Sequence, residues 1–307
     1  MTMPRRTLPG ATYLLTRRCE RRRFGLVPRG ITPGLVGYAI ALAAARHGIE
    51  VHAVVALSNH IHGIFTDPRG VISDFARDVH SLIARALNAE YGVWENFWST
   101  DGLSLVRLVG PADVWSKLVY CQTNAVAAGL VERSPAWPGF RTAPADVRGP
   151  GLVFPRPRTA LFRKTSLPDE VTLRLTVPPA LAQLAPDAFA EAFAKRVRSR
   201  ESELRAQAAR DGRPFLGARA VLKQRRDTRP ATREPRRGRD PSIACRDKPR
   251  RIAELTELKR FREEYFTALQ AWRAGQLPVR FPIGTTKMRT YPGVTLDTGP
   301  PAERQAA

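Results

Sequence analysis

Two apolar runs, residues 50–57 and 60–66, are separated by only Ser58 and Asn59. A gap that short reads as a tight turn between adjacent antiparallel strands. Histidine punctuates both runs, with His52 in the first and His60 and His62 at the start of the second. Strand side chains alternate between faces, so His60 and His62 point the same way, close enough to hold one metal ion. Two half-exposed histidines at a strand end are the other reading of the same pattern.

The flanking pattern sets the order of elements. Residues 11–18 read as a strand after the turn signal Pro9-Gly10. Residues 32–48 read as a helix, with Thr32 available as a cap, Pro33 in the first turn and Gly48 at its end. A second helix is predicted over about 73–90, where Phe75, Val79, Leu82, Ile83, Ala86 and Leu87 recur at helical spacing. A strand near 103–108 and a helix from Gly110-Pro111 to Gly129 follow. The sum is β-α-β-β-α-β plus a helix, so the expected fold class is α+β, a ferredoxin-like (split βαβ) domain with an antiparallel sheet.

Beyond Trp137-Pro138-Gly139 the texture changes. The expected organisation is a first domain over 1–140, a Pro- and Arg-rich linker over 141–168 and a basic, partly helical extension over 169–307. In the extension a strand at 170–177 and helices at about 186–210 and 250–274 are predicted. The last helix carries Phe261, Tyr265, Leu269 and Trp272 on one face. Residues 213–251 carry 14 Lys or Arg against 4 Asp or Glu, and read as a segment that orders on binding.

Charge points to the partner class. Fifty Lys and Arg against 28 Asp and Glu give a formal net charge of +22, mostly from arginine. Guanidinium suits phosphate, so nucleic acid is the expected partner. The three cysteines are far apart and form no metal or disulfide spacing. No run of about 18 apolar residues occurs, so no membrane association is expected and the expected location is the cytoplasm. The sequence leaves monomer and homodimer equally open.

The third helix reads Lys117-Leu-Val-Tyr120-Cys-Gln-Thr-Asn124-Ala-Val-Ala-Ala-Gly129-Leu130. Tyr120 and Asn124, four apart, project from one side of it. In a ferredoxin-like order this helix can cross the sheet face that shows the histidines. Tyr120 could equally be a core aromatic and Asn124 a polar residue of the helix face.

A His-hydrophobic-His strand followed by a helix bearing Tyr-x-x-x-Asn-x-Val-x-Ala-Gly-Leu-Val resembles the single-tyrosine HUH transposases, most of all the REP-associated tyrosine transposases. Pro4-Arg5-Arg6 with Pro9-Gly10, Asn59-His60-Ile61-His62 and Ala136-Trp137-Pro138 extend the resemblance over about residues 3–140. It departs at Ala125 and Ser58, where the family often has Pro, and in Trp94–Thr100, which lacks an Arg-Phe pair. The resemblance implies cleavage and joining of single-stranded or hairpin, repeat-associated DNA. His60, His62 and Asn124 would bind Mg²⁺ or Mn²⁺, and Tyr120 would be the nucleophile that forms a 5′-phosphotyrosine. Arg5, Arg6, Arg17, Arg18, Arg225, Arg226, Arg236 and Arg237 are the expected phosphate contacts.

Two other readings compete. A non-catalytic, domesticated single-strand binder could use the same scaffold, although the first strands offer Tyr13 without a cluster of stacking aromatics. A replication-initiator or relaxase-like enzyme would carry a second nearby tyrosine or a third histidine, and neither is present.

Overall fold

A computed structural model describes residues 3–100, 102–163, 166–232 and 241–297. Its first half follows the expected order: β1 (Ala11–Arg18), α1 (Thr32–His47), β2 (Glu50–Leu57), β3 (His60–Asp67), α2 (Ile72–Tyr91), β4 (Ser104–Leu108) and α3 (Pro111–Ala127). The strands lie in the order β2-β3-β1-β4, and each neighbouring pair is antiparallel. The chain is therefore a mixed α+β protein built on a mostly antiparallel sheet.

Alternation along the strands makes two cores. Tyr13, Leu15, Val51, Val54, Ile61 and Phe65 face α1 and α2. Leu14, Ala53, Val55, Ile64, Val106 and Leu108 face Leu118, Cys121 and Ala125 of α3. A bulge at His52 shifts the register of β2 against β3 and leaves this imidazole buried between the Thr176 carbonyl and Thr66 Oγ1, both at 2.8 Å.

Short polar caps place the helices on these faces. Asp67 ends β3 and accepts hydrogen bonds from the Ile72 and Arg69 amides at 2.6 and 3.1 Å, fixing the turn into α2. Asp113 accepts from the Gly110 amide at 3.1 Å at the start of α3. Gly48 closes α1 in the left-handed region at φ 64°. Thr32 is not the cap of α1: its hydroxyl meets the Tyr91 phenol at 3.2 Å instead.

The expected linker is a packed part of the protein. β5 (Leu152–Pro155) and β6 (Glu170–Leu173) form an antiparallel pair that lies on α1. The reason is in α1 itself, which is apolar nearly all round and so needs cover on its outer side as well. Gly37 lets the Phe154 ring in so closely that a Cβ there would stand 2.3 Å from it. Phe140 and Phe162 join the same core. Residues 140–142 and 175–176 line the outer edge of β2 through Ala56 N–H to Phe140 O, Thr142 N–H to Val54 O and Thr176 N–H to Val51 O.

The basic extension also packs. α4 (Pro186–Arg210) lays Phe189, Phe193 and Val197 against α3. α5 (Ala218–Leu222) buries Val221 completely, and β7 (Ile243–Ala244) adds to the sheet beside β4 in the parallel sense. Within 213–251, Val221 and β7 are thus seated on the domain, while most of the other described side chains of the segment are exposed or half-exposed; residues 233–240 lie outside the described residues. A third, small core forms where Leu258, Phe261, Tyr265 and Ala268 of α6 (Lys248–Arg273) meet β8 (Val279–Phe281), β9 (Val294–Leu296) and Met288. Among the described residues no helix is long and apolar enough to cross a membrane.

Phe162, 4% exposed and edge-on to Tyr38, separates the two accounts of this region. Replacing it by Ala in a packed core costs about 3–5 kcal/mol, whereas a linker residue would cost no more than about 0.5 kcal/mol. Chemical denaturation of Phe162→Ala should show the larger loss. An unchanged unfolding midpoint and slope would return 141–168 to the status of a linker.

Candidate functional site

β3 opens with the two histidines, and its alternation delivers both to the α3 face. Their ring centroids are 4.6 Å apart. α3 crosses the same face, held by buried Leu118, Cys121 and Ala125, and the Cys121 thiol lies 3.6 Å from the His62 carbonyl. One residue before that contact, Tyr120 leaves the packed stripe and is 41% exposed. Its hydroxyl lies 3.2 Å from His62 Nε2, with the two rings 5.1 Å apart. Tyr120, His62 and His60 therefore form one contiguous group from strand and helix. Asn124 sits one turn further along α3 and is buried.

Both imidazoles are held through Nδ1. Asn59 Oδ1 lies 2.6 Å from His60 Nδ1. An amide oxygen only accepts, so in this pairing His60 donates from Nδ1. Thr16 Oγ1 lies 2.7 Å from His62 Nδ1. With Nδ1–H donating to Thr16, His62 Nε2 accepts from the phenol. Neither Thr16 nor Lys117 was singled out from the sequence. Thr16 stands directly opposite His62 in the β1–β3 register, so the pairing of the strands was the missing signal.

The field at the site is positive. Burial above all, then His60, Arg18 and Lys117, hold His62 well below the ordinary imidazole range, so it is neutral. The Lys117 ammonium lies 5.6 Å from the Tyr120 ring centroid, and Arg18 is opposite His60 on β1. Two imidazoles on one face, the buried one neutral, are a suitable donor pair for a divalent cation. Among the described residues no group of three or more His, Cys, Asp or Glu is placed to hold a metal. A cation at this point would have to complete its shell with amide, water or substrate oxygens. The other histidines lie elsewhere: His47 is 2.9 Å from Asp78, and His80 is buried against Trp98.

The arginines named as phosphate contacts lie in several separate places. Arg17 and Arg18 are split by the strand period: Arg18 shares the histidine face, while Arg17 lies on the other, its guanidinium 5.9 Å from the Trp98 ring. Arg5 donates to the Leu103 carbonyl, and Arg6 is largely covered, 3.8 Å from Glu257. Arg225 forks onto Asp227 at 3.2 and 2.8 Å, and Arg226 stacks 3.4 Å over Tyr91. With Arg23 and Arg29 these two line a cleft of about 380 Å³ floored by Cys19 and Phe97. Arg236 and Arg237 lie outside the described residues.

No protein-family profile and no curated protein matches the chain. Among solved structures it is similar to a REP-associated tyrosine transposase bound to a REP hairpin, with 24% identity and a TM-score of 0.41 over 58% of this chain and all of that one. It is also similar to a protein of Deinococcus radiodurans R1 provisionally assigned as a transposase, with 18% identity and a TM-score of 0.27 over 34% of this chain and 85% of that one.

The buried imidazoles make stability depend on pH. Burial pushes His52 down from 6.5 to about 4 and His80 down to about 3, and His62 moves the same way. The unfolded chain binds protons as pH falls through 6.5, while the folded chain refuses them until about 4 or below, so stability is full above 6.5 and falls on acidification. At about pH 5, His52 alone should have cost about 2 kcal/mol relative to neutral pH. Denaturation curves across this range should show the decline, and NMR should show His62 still neutral at pH 6.5. Stability that is flat or rises on acidification would contradict these assignments.

Proposed function

We propose that this chain is a DNA strand transferase of the single-tyrosine HUH type, acting on single-stranded or hairpin DNA. The strand order β2-β3-β1-β4, with each neighbouring pair antiparallel, supports this reading. The observation that carries it is the placement of an exposed phenol, Tyr120, with its oxygen 3.2 Å from the buried, neutral His62 and beside His60. A tyrosine with a purely structural role would bury its ring and place its hydroxyl on a backbone carbonyl. Tyr120 instead leaves its ring half in solvent and puts its oxygen against the imidazole pair.

In the proposed reaction the Tyr120 oxygen attacks the scissile phosphorus. The phenol loses its proton, an O–P bond forms to the tyrosine, and the bond to the 3′-oxygen breaks, with that oxygen taking up a proton. The 5′-phosphotyrosine keeps the phosphodiester bond energy, so the reverse attack by a 3′-hydroxyl can reseal a strand. A phenol with an ordinary pKa near about 10 needs help at neutral pH. Lys117 and Arg18 would draw the phosphate toward it and offset the negative charge that builds up in the attack. Thr16 and Asn59 hold the two rings through Nδ1 and so fix their orientation at the site.

The imidazoles of His60 and His62 with the amide oxygen of Asn124 would hold Mg²⁺ or Mn²⁺. Such an ion would polarise the scissile phosphate and ease departure of the 3′-oxygen. The bulk of the positive surface would position the DNA backbone without reading its sequence.

Tyr120→Phe removes one oxygen from a half-exposed ring, so folding and hairpin binding should survive within about 1 kcal/mol. The denaturation-resistant protein–DNA adduct and the nicked product should fall to background. Persistence of the adduct in Tyr120→Phe would assign the nucleophile elsewhere, and a wild-type protein that binds hairpins without ever forming an adduct would leave a binding protein.

A further inference from the structure

On the sheet face away from the histidines, the N-terminal segment, β4 and α6 enclose a cleft of about 670 Å³. Arg5, Arg6, Arg107 and Arg262 line it, with Glu254 as the acidic residue among them. The available carboxylates are already committed. Glu254 pairs with Arg107, and Glu257 pairs with Arg260 at 2.6 Å, reaching Arg6 only at 3.8 Å. Two guanidinium donors in this cleft, Arg6 Nε and Arg262 Nε, are buried and have no hydrogen-bond partner among the described residues. A buried charged donor without an acceptor is unfavourable unless something else supplies the acceptor. Four guanidinium groups against one carboxylate, with two of them incompletely satisfied, make the cleft favour an oxygen with negative charge.

The cleft does not end there. Residues 3–5 also wall a second cleft of about 780 Å³ on their other side. That one carries Arg273, Lys287 and Arg289 against Asp74, with Trp272 and Tyr291 on its wall. Two clefts that share residues 3–5 and carry cations with aromatics on their walls suit an extended polyanion better than a lone phosphate.

We infer that the groove between the N-terminal segment and α6 is a second nucleic-acid site, in which Arg262 and Arg6 take the phosphodiester oxygens of DNA. The choice of DNA rests on the strand-transfer reading; the demand for an anionic oxygen does not. Planar guanidinium groups meet phosphate through paired N–H donors, a geometry that ammonium cannot copy. Because the lining includes Arg107 of β4 and Arg262 of α6, the C-terminal unit completes a site that the first domain alone would leave open.

The test uses the full chain and a hairpin with single-stranded flanks, bound to Tyr120→Phe protein so that no DNA is consumed. Arg262→Gln in that background should lower the affinity several-fold and reduce the slope of log K against log salt by about one, as expected for one lost phosphate contact. Arg200→Gln, on the exposed side of α4 and paired with Glu203, is the charge control and should leave the slope in place. The melting temperature of Arg262→Gln without DNA should not fall, because no internal hydrogen bond is lost at Nε. Arg262→Lys, which keeps the charge but not the fork, should keep the slope and still weaken binding.

An unchanged slope and affinity in Arg262→Gln would overturn the site. A melting temperature raised by inorganic phosphate in the parent but not in Arg262→Gln, with the DNA slope unchanged, would make the ligand a free phosphate and overturn the assignment to DNA. The adduct assay on the Tyr120 protein reads the other claim separately. Loss of slope with no adduct in wild type would sink strand transfer and leave the groove standing.

Discussion

The period of two along β3 decides where everything else in this protein can go. Ile61 and Phe65 enter the core beneath α1 and α2, while Ile64 enters the core beneath α3. His60 and His62 share the side of Ile64, and so they end under α3 rather than in solvent. A slip of one residue would turn the imidazoles into the core beneath α1 and α2 and send Ile61 and Phe65 to the α3 face in their place. The Ser58-Asn59 turn and the Asp67 cap prevent it by fixing both ends of the strand.

From that constraint the site follows with few further requirements. α3 needs an apolar stripe to lie on the sheet, and Leu118, Cys121 and Ala125 provide it. Tyr120 precedes one of those positions, so it emerges at the border between packed and open surface. Thr16 and Asn59 then complete the arrangement by occupying the inner nitrogens of both rings. The polar group is small, and its geometry is owed to the strands and the helix rather than to a mobile loop.

The β-α-β-β-α-β order and most element boundaries were legible because hydrophobic period and turn residues agreed along residues 11–127. The shared face of His60 and His62 was legible for the same reason. Three things were not. Arg17 and Arg18 were both named as phosphate contacts, but a strand sends neighbours to opposite faces, and the period already used for the histidines separates them. The Pro- and Arg-rich composition of 141–168 hid Phe154 and Phe162, whose need for burial is visible only once α1 is seen to be apolar on every side. The orphaned guanidinium donors under α6 depend on which carboxylates lie within reach, a long-range property that no local pattern carries.

In the proposed reaction the phenol beside the imidazole pair takes the DNA phosphate. Trypsin cutting after Lys117 and Arg133 releases Leu118–Arg133, which contains Tyr120 and no other tyrosine. Protein trapped on a hairpin that cannot be resealed, digested with nuclease and trypsin, can be read by tandem mass spectrometry. The account expects a nucleotide mass on this peptide, with fragment ions that place it on Tyr120. The same mass on a peptide bearing Tyr13, Tyr38, Tyr91, Tyr265 or Tyr291, or on a serine, would contradict it.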